Sequence, residues 1–301
     1  MRVDPFYATN LVGSLDSAQA NEQQLTAELS SGVSINSLSQ NPVGSGENVL
    51  LLSQIQQDDS FTQSSSQVTG QLQVADSALG SVISSLTSAI SLATSANNGT
   101  MNASNTKSVA NEISGLRDEV QSFANTSYQG QYIFAGGQIS SAPFSTSNTS
   151  PAVTTYNGDS DVNYLESPNG QNIQLNVPGN QIFMGSGTNS VFAALNALVA
   201  DYSSGTVNVT QAVDDTQALG TALNYVSQQR VTIDNSINQV SAASEAVTNV
   251  KLQLTTAQTN LMQANFGTVS TQLSQAETQQ TALEDVIAQL NSTSNTLFSK
   301  L

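Results

Sequence analysis

A mainly α-helical chain with a small β insert is the fold class that the sequence predicts, and three observations carry that prediction. Apolar residues on either side of the middle repeat at alternating steps of four and three, the spacing of helices that pack side by side. Between them, residues 135–187 switch to short β-branched and aromatic runs broken by Asn-Gly and Pro-Gly turns. The two ends carry apolar residues thinly spread among Gln, Asn and Ser, enough for one helical face each.

Taken in order, Leu11 to Leu29 predicts a helix whose apolar face is too thin to fold alone. A firm seam then runs Val68, Leu72, Ala75, Leu79, Val82, Leu86, Ala89 and Ala93. Asn97-Asn98-Gly99 punctuates it, and a second seam follows through Val109, Ile113, Leu116, Val120 and Phe123, so the two helices read as an antiparallel hairpin. In the insert, Thr154–Tyr156, Val162–Leu165 and Asn172–Val177 predict strands, and the Ser, Thr and Asn stretch over 140–150 predicts a surface loop. Helix returns through Leu219, Leu223, Val226, Ile233, Ile237 and Val240, with Arg230 at what would be a seam position. After a phase slip near 244–250 the seam resumes as Val250, Leu254, Ala257, Leu261 and Ala264. Beyond a break at Phe266-Gly267 it continues through Val269, Leu273, Ala276, Leu283, Ile287, Leu290 and Leu297. Each buried Leu, Ile or Val contributes about 1.5–3 kcal/mol, so these stripes require partner helices. The long N- and C-terminal helices are therefore expected to pack as a coiled-coil-like bundle. The expected division is terminal helical segments over 1–40 and 268–301, a helical core over 41–134 and 188–267, and a β-rich domain over 135–187.

Composition excludes several function classes. The 301 residues include no Cys, His or Trp, which removes thiolate and imidazole zinc sites, Ser-His-Asp and Cys-His catalytic sets, and disulfides. Six basic residues against twenty-two acidic ones give a net charge of -16, which argues against a nucleic-acid surface. Charged residues make up 9% of the chain, against about 25% in an average domain. A surface of uncharged amides and hydroxyls costs less to bury in an assembly than one of ammonium and carboxylate groups. The longest apolar stretch, Ala193 to Ala200, is far shorter than a spanning helix, and no apolar segment follows Met1-Arg2-Val3-Asp4-Pro5, so neither membrane insertion nor a cleaved signal is expected.

No candidate catalytic, cofactor or metal residue emerges. Asp159-Ser160-Asp161 lacks the spaced ligands and closing Glu of a calcium loop. Asp58-Asp59, Asp214-Asp215 and Glu284-Asp285 are adjacent pairs, which diverge on a helix and are expected to be solvated. Gly44-Ser45-Gly46 and Gly185-Ser186-Gly187 lack the Lys of a phosphate loop and read as turns. Arg230, one of so few cations, reads either as a rim residue whose stem covers apolar surface or as a charge that fixes register at an interface. No cofactor is expected, and the chain is not expected to be an enzyme. The weak amphipathic ends suggest that they order against each other or against neighbouring copies.

The order helical hairpin, β insert, helix, with both termini amphipathic, resembles the bacterial flagellin superfamily, within it the branch that joins hook to filament. Leu29-Ser30-Ser31-Gly32, Ile35-Asn36 and Asn41-Pro42-Val43, behind a Met1-Arg2-Val3 start, are similar to the family's N-terminal signature. Gly130-Gln131-Tyr132-Ile133-Phe134-Ala135-Gly136-Gly137, with Pro143-Phe144 behind it, resembles the family's passage from helices into the outer domain. Tyr156-Asn157-Gly158-Asp159, Pro178-Gly179 with Phe183, Val191-Phe192 with Leu195 and Leu198, Val226 to Arg230 and Thr296-Leu297-Phe298-Ser299-Lys300-Leu301 follow the family's order. Val33-Ser34 and Gln40-Asn41 stand where the family usually has basic and acidic residues, which removes the salt bridges that those would make.

The resemblance implies a non-enzymatic structural subunit of the extracellular flagellum. Copies would form a ring between the first hook-associated junction protein and flagellin, after export by the flagellar type III route and holding by an export chaperone. The terminal helices would occupy the inner tube, with the β-rich domain outermost. Leu25, Leu29, Leu283, Ile287, Leu290 and Leu297 are the residues expected to carry assembly. Flagellin itself is the nearest alternative, and a secreted adhesin-like binding protein a more distant one.

Overall fold

The computed structural model describes residues 5–39, 41–98, 101–147, 149, 152–185 and 190–298. The Met1-Arg2-Val3 start, parts of the 140–150 loop, Ser186-Gly187, the Ser299-Lys300-Leu301 ending and the side chain of Leu297 lie outside the described residues. The elements are α1 (Pro5–Ser31), α2 (Pro42–Ala96), α3 (Ala103–Ala124), β1 (Ser127–Tyr128), β2 (Gln131–Tyr132), β3 (Phe144–Thr146), β4 (Thr154–Tyr156), β5 (Tyr164–Glu166) and β6 (Asn172–Gln174). A π-helical turn (Asn180–Met184), α4 (Val191–Ser203), α5 (Val209–Met262) and α6 (Phe266–Phe298) complete the chain. The fold class is as expected, with long helices at both ends and the strands confined to the middle. Two compact units divide it, one of residues 1–57 and 250–301, the other of residues 58–249.

In the second unit the core is the heptad seam of α2 against α3, α4 and α5. Leu79, Val82, Leu86, Ala89 and Ala93 have no solvent exposure, and Ile113, Val120, Leu195, Leu198, Leu219 and Val226 meet them with none either. The seam extends further back than its apolar residues indicate: Asp58, Phe61 and Ser65 continue the three-four spacing and are all buried. Asp58 Oδ2 and Ser65 Oγ have no hydrogen-bond partner there. This corrects the expectation that Asp58-Asp59 is a solvated pair, because the heptad phase turns Asp58 inward and Asp59 out. Many hydroxyls of α2 are satisfied by folding back on the preceding turn: Ser77, Ser81, Ser84, Thr87, Ser88 and Thr94 each donate to the carbonyl four residues earlier.

Although no unbroken apolar run is long, an 18-residue window of α2 has a mean hydropathy of 1.3, long and apolar enough by those measures to cross a membrane. Ala, Leu, Val and Ile keep that mean high, while the mildly hydrophilic Ser and Thr among them break any run. The apolar side of this helix is the core seam of the second unit.

Three separate antiparallel ribbons follow α3: β1–β2, which precedes the expected start of the insert at 135, and β3–β4 and β5–β6 within it. Gln129 (φ 51°) and Gly130 (φ 81°) form the two-residue turn of the first ribbon, both in the left-handed region that such a turn requires. Phe144 pairs with Tyr156 in the second, and Leu165 with Ile173 in the third.

In the first unit α1 packs along α6. Leu25, Ala264, Val269 and Ala276 are buried, with Leu29 and Leu273 packed against them. The chain between α1 and α2 is tied to the end of α5: Val33 bridges Gln263, Ser34 N donates to Met262 O at 2.7 Å, and Ala264 N donates to Gly32 O at 2.9 Å. Gly32, at φ 71°, ends α1 in the left-handed conformation of a helix C-terminus.

Candidate assembly surfaces and the motif cluster

The motif residues that lie far apart in sequence meet at the root of the insert. Asn125, at the end of α3, exchanges two hydrogen bonds with the backbone of Phe144: Nδ2 donates to Phe144 O and Oδ1 accepts from Phe144 N, both at 2.9 Å. Gly179 N donates to Phe134 O at 2.8 Å, and a side chain at Gly179 would strike that oxygen and the Phe144 ring. Tyr156 places its hydroxyl 3.0 Å from Phe134 O and 2.7 Å from Asp159 O, and burial pushes its pKa up to about 12. Asp159 Oδ1 accepts from Gly137 N at 2.6 Å and Asp161 N at 3.0 Å, which gives the Asp159 carboxylate a role in closing this turn. Phe134, Phe144, Phe183 and Phe192 fill the centre, with ring centroids 5.2–6.0 Å apart in edge and tilted contacts. Thus Phe134-Ala135-Gly136-Gly137, Tyr156-Asn157-Gly158-Asp159, Pro178-Gly179 and Val191-Phe192 form a single cluster that seats the insert on α3 and α4.

Arg230 lies on α5 opposite Asp76 of α2. Its Nε reaches Asp76 Oδ1 at 2.5 Å and its terminal nitrogen reaches Oδ2 at 3.1 Å, a two-pronged ion pair. The guanidinium rests over Gly80, where the missing side chain leaves it room. The hydrogen bond from Arg230 holds the Asp76 carboxyl below its ordinary range, while desolvation and the Asp76 charge raise that of Asp234. With side-chain exposures of 39% and 22%, the pair is partly solvated, a bridge between two helices at the edge of the core.

The residues expected to carry assembly fall along the α1–α6 seam. Leu25 is 6% exposed and Leu29 is half-buried beside it. Leu283, Ile287 and Leu290 are half-buried and continue the spacing of Val269, Leu273 and Ala276 along α6. The prominent apolar side chains left in solvent in this unit lie elsewhere. Leu38, Val43, Val49 and Leu50 are 62–81% exposed around the start of α2, and Leu252 of α5 is 66% exposed. Glu47 is the one charged residue between Glu28 and Asp58. Sequence periodicity pointed to the seam; isolated apolar residues outside any stripe gave no such signal. A shallow hollow of about 370 Å³ in this unit is lined by Gly32, Val33, Asn48, Gln258 and Met262, together with Thr259 and Gln263.

Of the remaining acidic pairs, Glu284 and Asp285 are both exposed, whereas Asp214 and Asp215 part company, Asp214 exposed and Asp215 half-buried. Among the described residues no group of three or more Asp or Glu is placed to hold a metal ion.

Residues 6–138 match the family model described as the bacterial flagellin N-terminal helical region. The chain is 25% identical over 300 residues to flagellar hook-associated protein 3 of Escherichia coli, covering 92% of both chains. It is 24% identical over 139 residues to the Salmonella typhimurium protein of the same name, covering 46% of this chain and 44% of that one. Among solved structures, flagellar hook-associated protein 3 of Legionella pneumophila superposes with a TM-score of 0.62 at 14% identity, over 70% of this chain and 98% of that one. The match to that structure shows a shared fold. The chain is thus similar to the bacterial flagellin N-terminal helical region over residues 6–138 and to flagellar hook-associated protein 3 over 92% of its length.

Proposed function

We propose that this chain is a structural subunit of the bacterial flagellum, at the junction between hook and filament. The observation that carries the reading is the whole-length similarity to hook-associated protein 3, supported by the motif cluster at the root of the insert. Copies form a ring, with the first hook-associated junction protein on one side and flagellin on the other. The subunit leaves the cell by the flagellar export route, held beforehand by an export chaperone, and its work is mechanical, not catalytic. The α1–α6 pair, including Leu25, Leu29, Leu283, Ile287, Leu290 and Leu297, forms the element through which subunits assemble. The low charge of the first unit suits burial against neighbours.

Complementation tests the reading. In a strain lacking its own junction protein, expression of this chain is expected to restore swimming and keep flagellin on the hook. Secretion of the chain with continued shedding of flagellin contradicts it. Seeding purified protein on hooks separates the junction role from that of a filament subunit: growth into long filaments points to flagellin, and arrest after a layer supports the junction.

A further inference from the structure

Where α4 ends and α5 begins, three helices bring polar side chains together. The Tyr202 hydroxyl, fully buried, lies 3.2 Å from Ala93 O and 2.7 Å from Asn97 Oδ1. Asn97 Nδ2 donates to Thr216 Oγ1 at 3.3 Å, and Thr216 donates onward to Ala212 O at 2.6 Å. Beside Tyr202, Asp201 has Oδ2 fully buried with no donor to meet it. The charged group acting on it is the carboxylate of Asp215 on α5, whose Oδ2 accepts from Gln211 Nε2 at 3.1 Å. The other titratable groups around the turn are Tyr202 itself, the exposed Asp214, and Lys107 of α3, whose stem packs against Gly205.

Two carboxylates brought together repel as a pair of anions and favour sharing one proton, which gives the orphaned oxygen a partner. We propose that Asp201 and Asp215 form a carboxyl–carboxylate pair that holds one proton in the folded protein and acts as an acid-strengthened clasp between the end of α4 and the start of α5. Burial first, then the hydrogen bond and charge of Asp215, raise the pKa of Asp201 to about 6. An unfolded Asp titrates at about 3.9, so the folded chain takes up this proton first as pH falls. The contribution is fully present below about pH 4 and is lost as pH rises through about 6. The clasp fastens α4, which carries Phe192 into the motif cluster and Leu195 and Leu198 into the core.

The test compares the full-length chain with Asp201→Asn, which mimics the protonated carboxyl, and with Asp215→Asn as a second variant. Thermal midpoints are followed from pH 4 to 8, and carboxyl carbons are titrated by NMR in protein labelled at Asp. The expected result is that Asp201→Asn matches the unaltered chain near pH 4 and melts about 5 °C higher at pH 7.5. The carboxyl resonance titrating near pH 6 is expected to be absent in Asp201→Asn and moved to lower pH in Asp215→Asn. A constant offset in midpoint across the pH range, or every Asp resonance titrating near its ordinary value, overturns the proposal. So does a rise in midpoint with millimolar calcium that both variants abolish, because a cation would then occupy the place of the proton.

Discussion

Gly179 and Arg230 show how differently single residues bear on this fold. At Gly179 a methyl group would lie 2.7 Å from Phe134 O and 2.8 Å from the Phe144 ring. Gly179→Ala is therefore expected to cost about 1–3 kcal/mol by forcing the cluster apart, read as a lower unfolding midpoint in urea. Arg230→Ala removes a partly solvated ion pair, and a double-mutant cycle with Asp76→Ala should yield a coupling of about 0.2–1 kcal/mol that shrinks with added salt. A coupling several times larger would show that the pair is shielded far more than its exposure implies. The motif residues were legible as a set in the sequence, but their reason was not: nothing local indicates that Gly179 must make room for Phe134 and Phe144, which are 45 and 35 residues away. The Asp201–Asp215 pair was hidden for a related reason. Adjacency drew attention to Asp214-Asp215, whereas the partner of Asp215 lies on the preceding helix.

Among elements, α1 and α6 hold the first unit together through a thin seam. Leu25→Ala is expected to destabilise that unit by about 2 kcal/mol, measured as faster hydrogen exchange in α1 and α6 with α3 and α4 unaffected. Equal acceleration in α3 and α4 would mean that the units unfold together. Val43 and Leu50 lie seven residues apart on one side of α2 and are 81% and 72% exposed. Changing both to Ser should leave the thermal midpoint nearly unchanged. If this side meets neighbouring subunits, the same change lowers recovery of assembled junctions while secretion continues, and normal swimming would exclude that role. The seams of the second unit were readable because three-four spacing is a property of the helix alone, whereas in the stretch expected over 250–264 Val250 is 45% exposed and Ala257 is exposed. The buried Asp58 and Ser65 were not, since a polar residue at a seam position breaks the apolar pattern while keeping its phase. The three short ribbons were visible as turns and β-branched runs; that they pair two by two depends on contacts that periodicity does not encode.

For the whole molecule, composition excluded function classes, and the resemblance carried by the motifs and the order of elements supplied the functional reading. A chain without Cys or His and with few charges, long-helical at both ends, is suited to being packed against copies of itself. Similarity to hook-associated protein 3 over 92% of the chain is what the proposed junction role rests on. The most direct measurement is complementation of a strain lacking its junction protein, with flagellin in the medium quantified beside swimming. The account predicts restored swimming with filaments retained on their hooks. Flagellin shed into the medium while this chain is secreted at normal levels would contradict it.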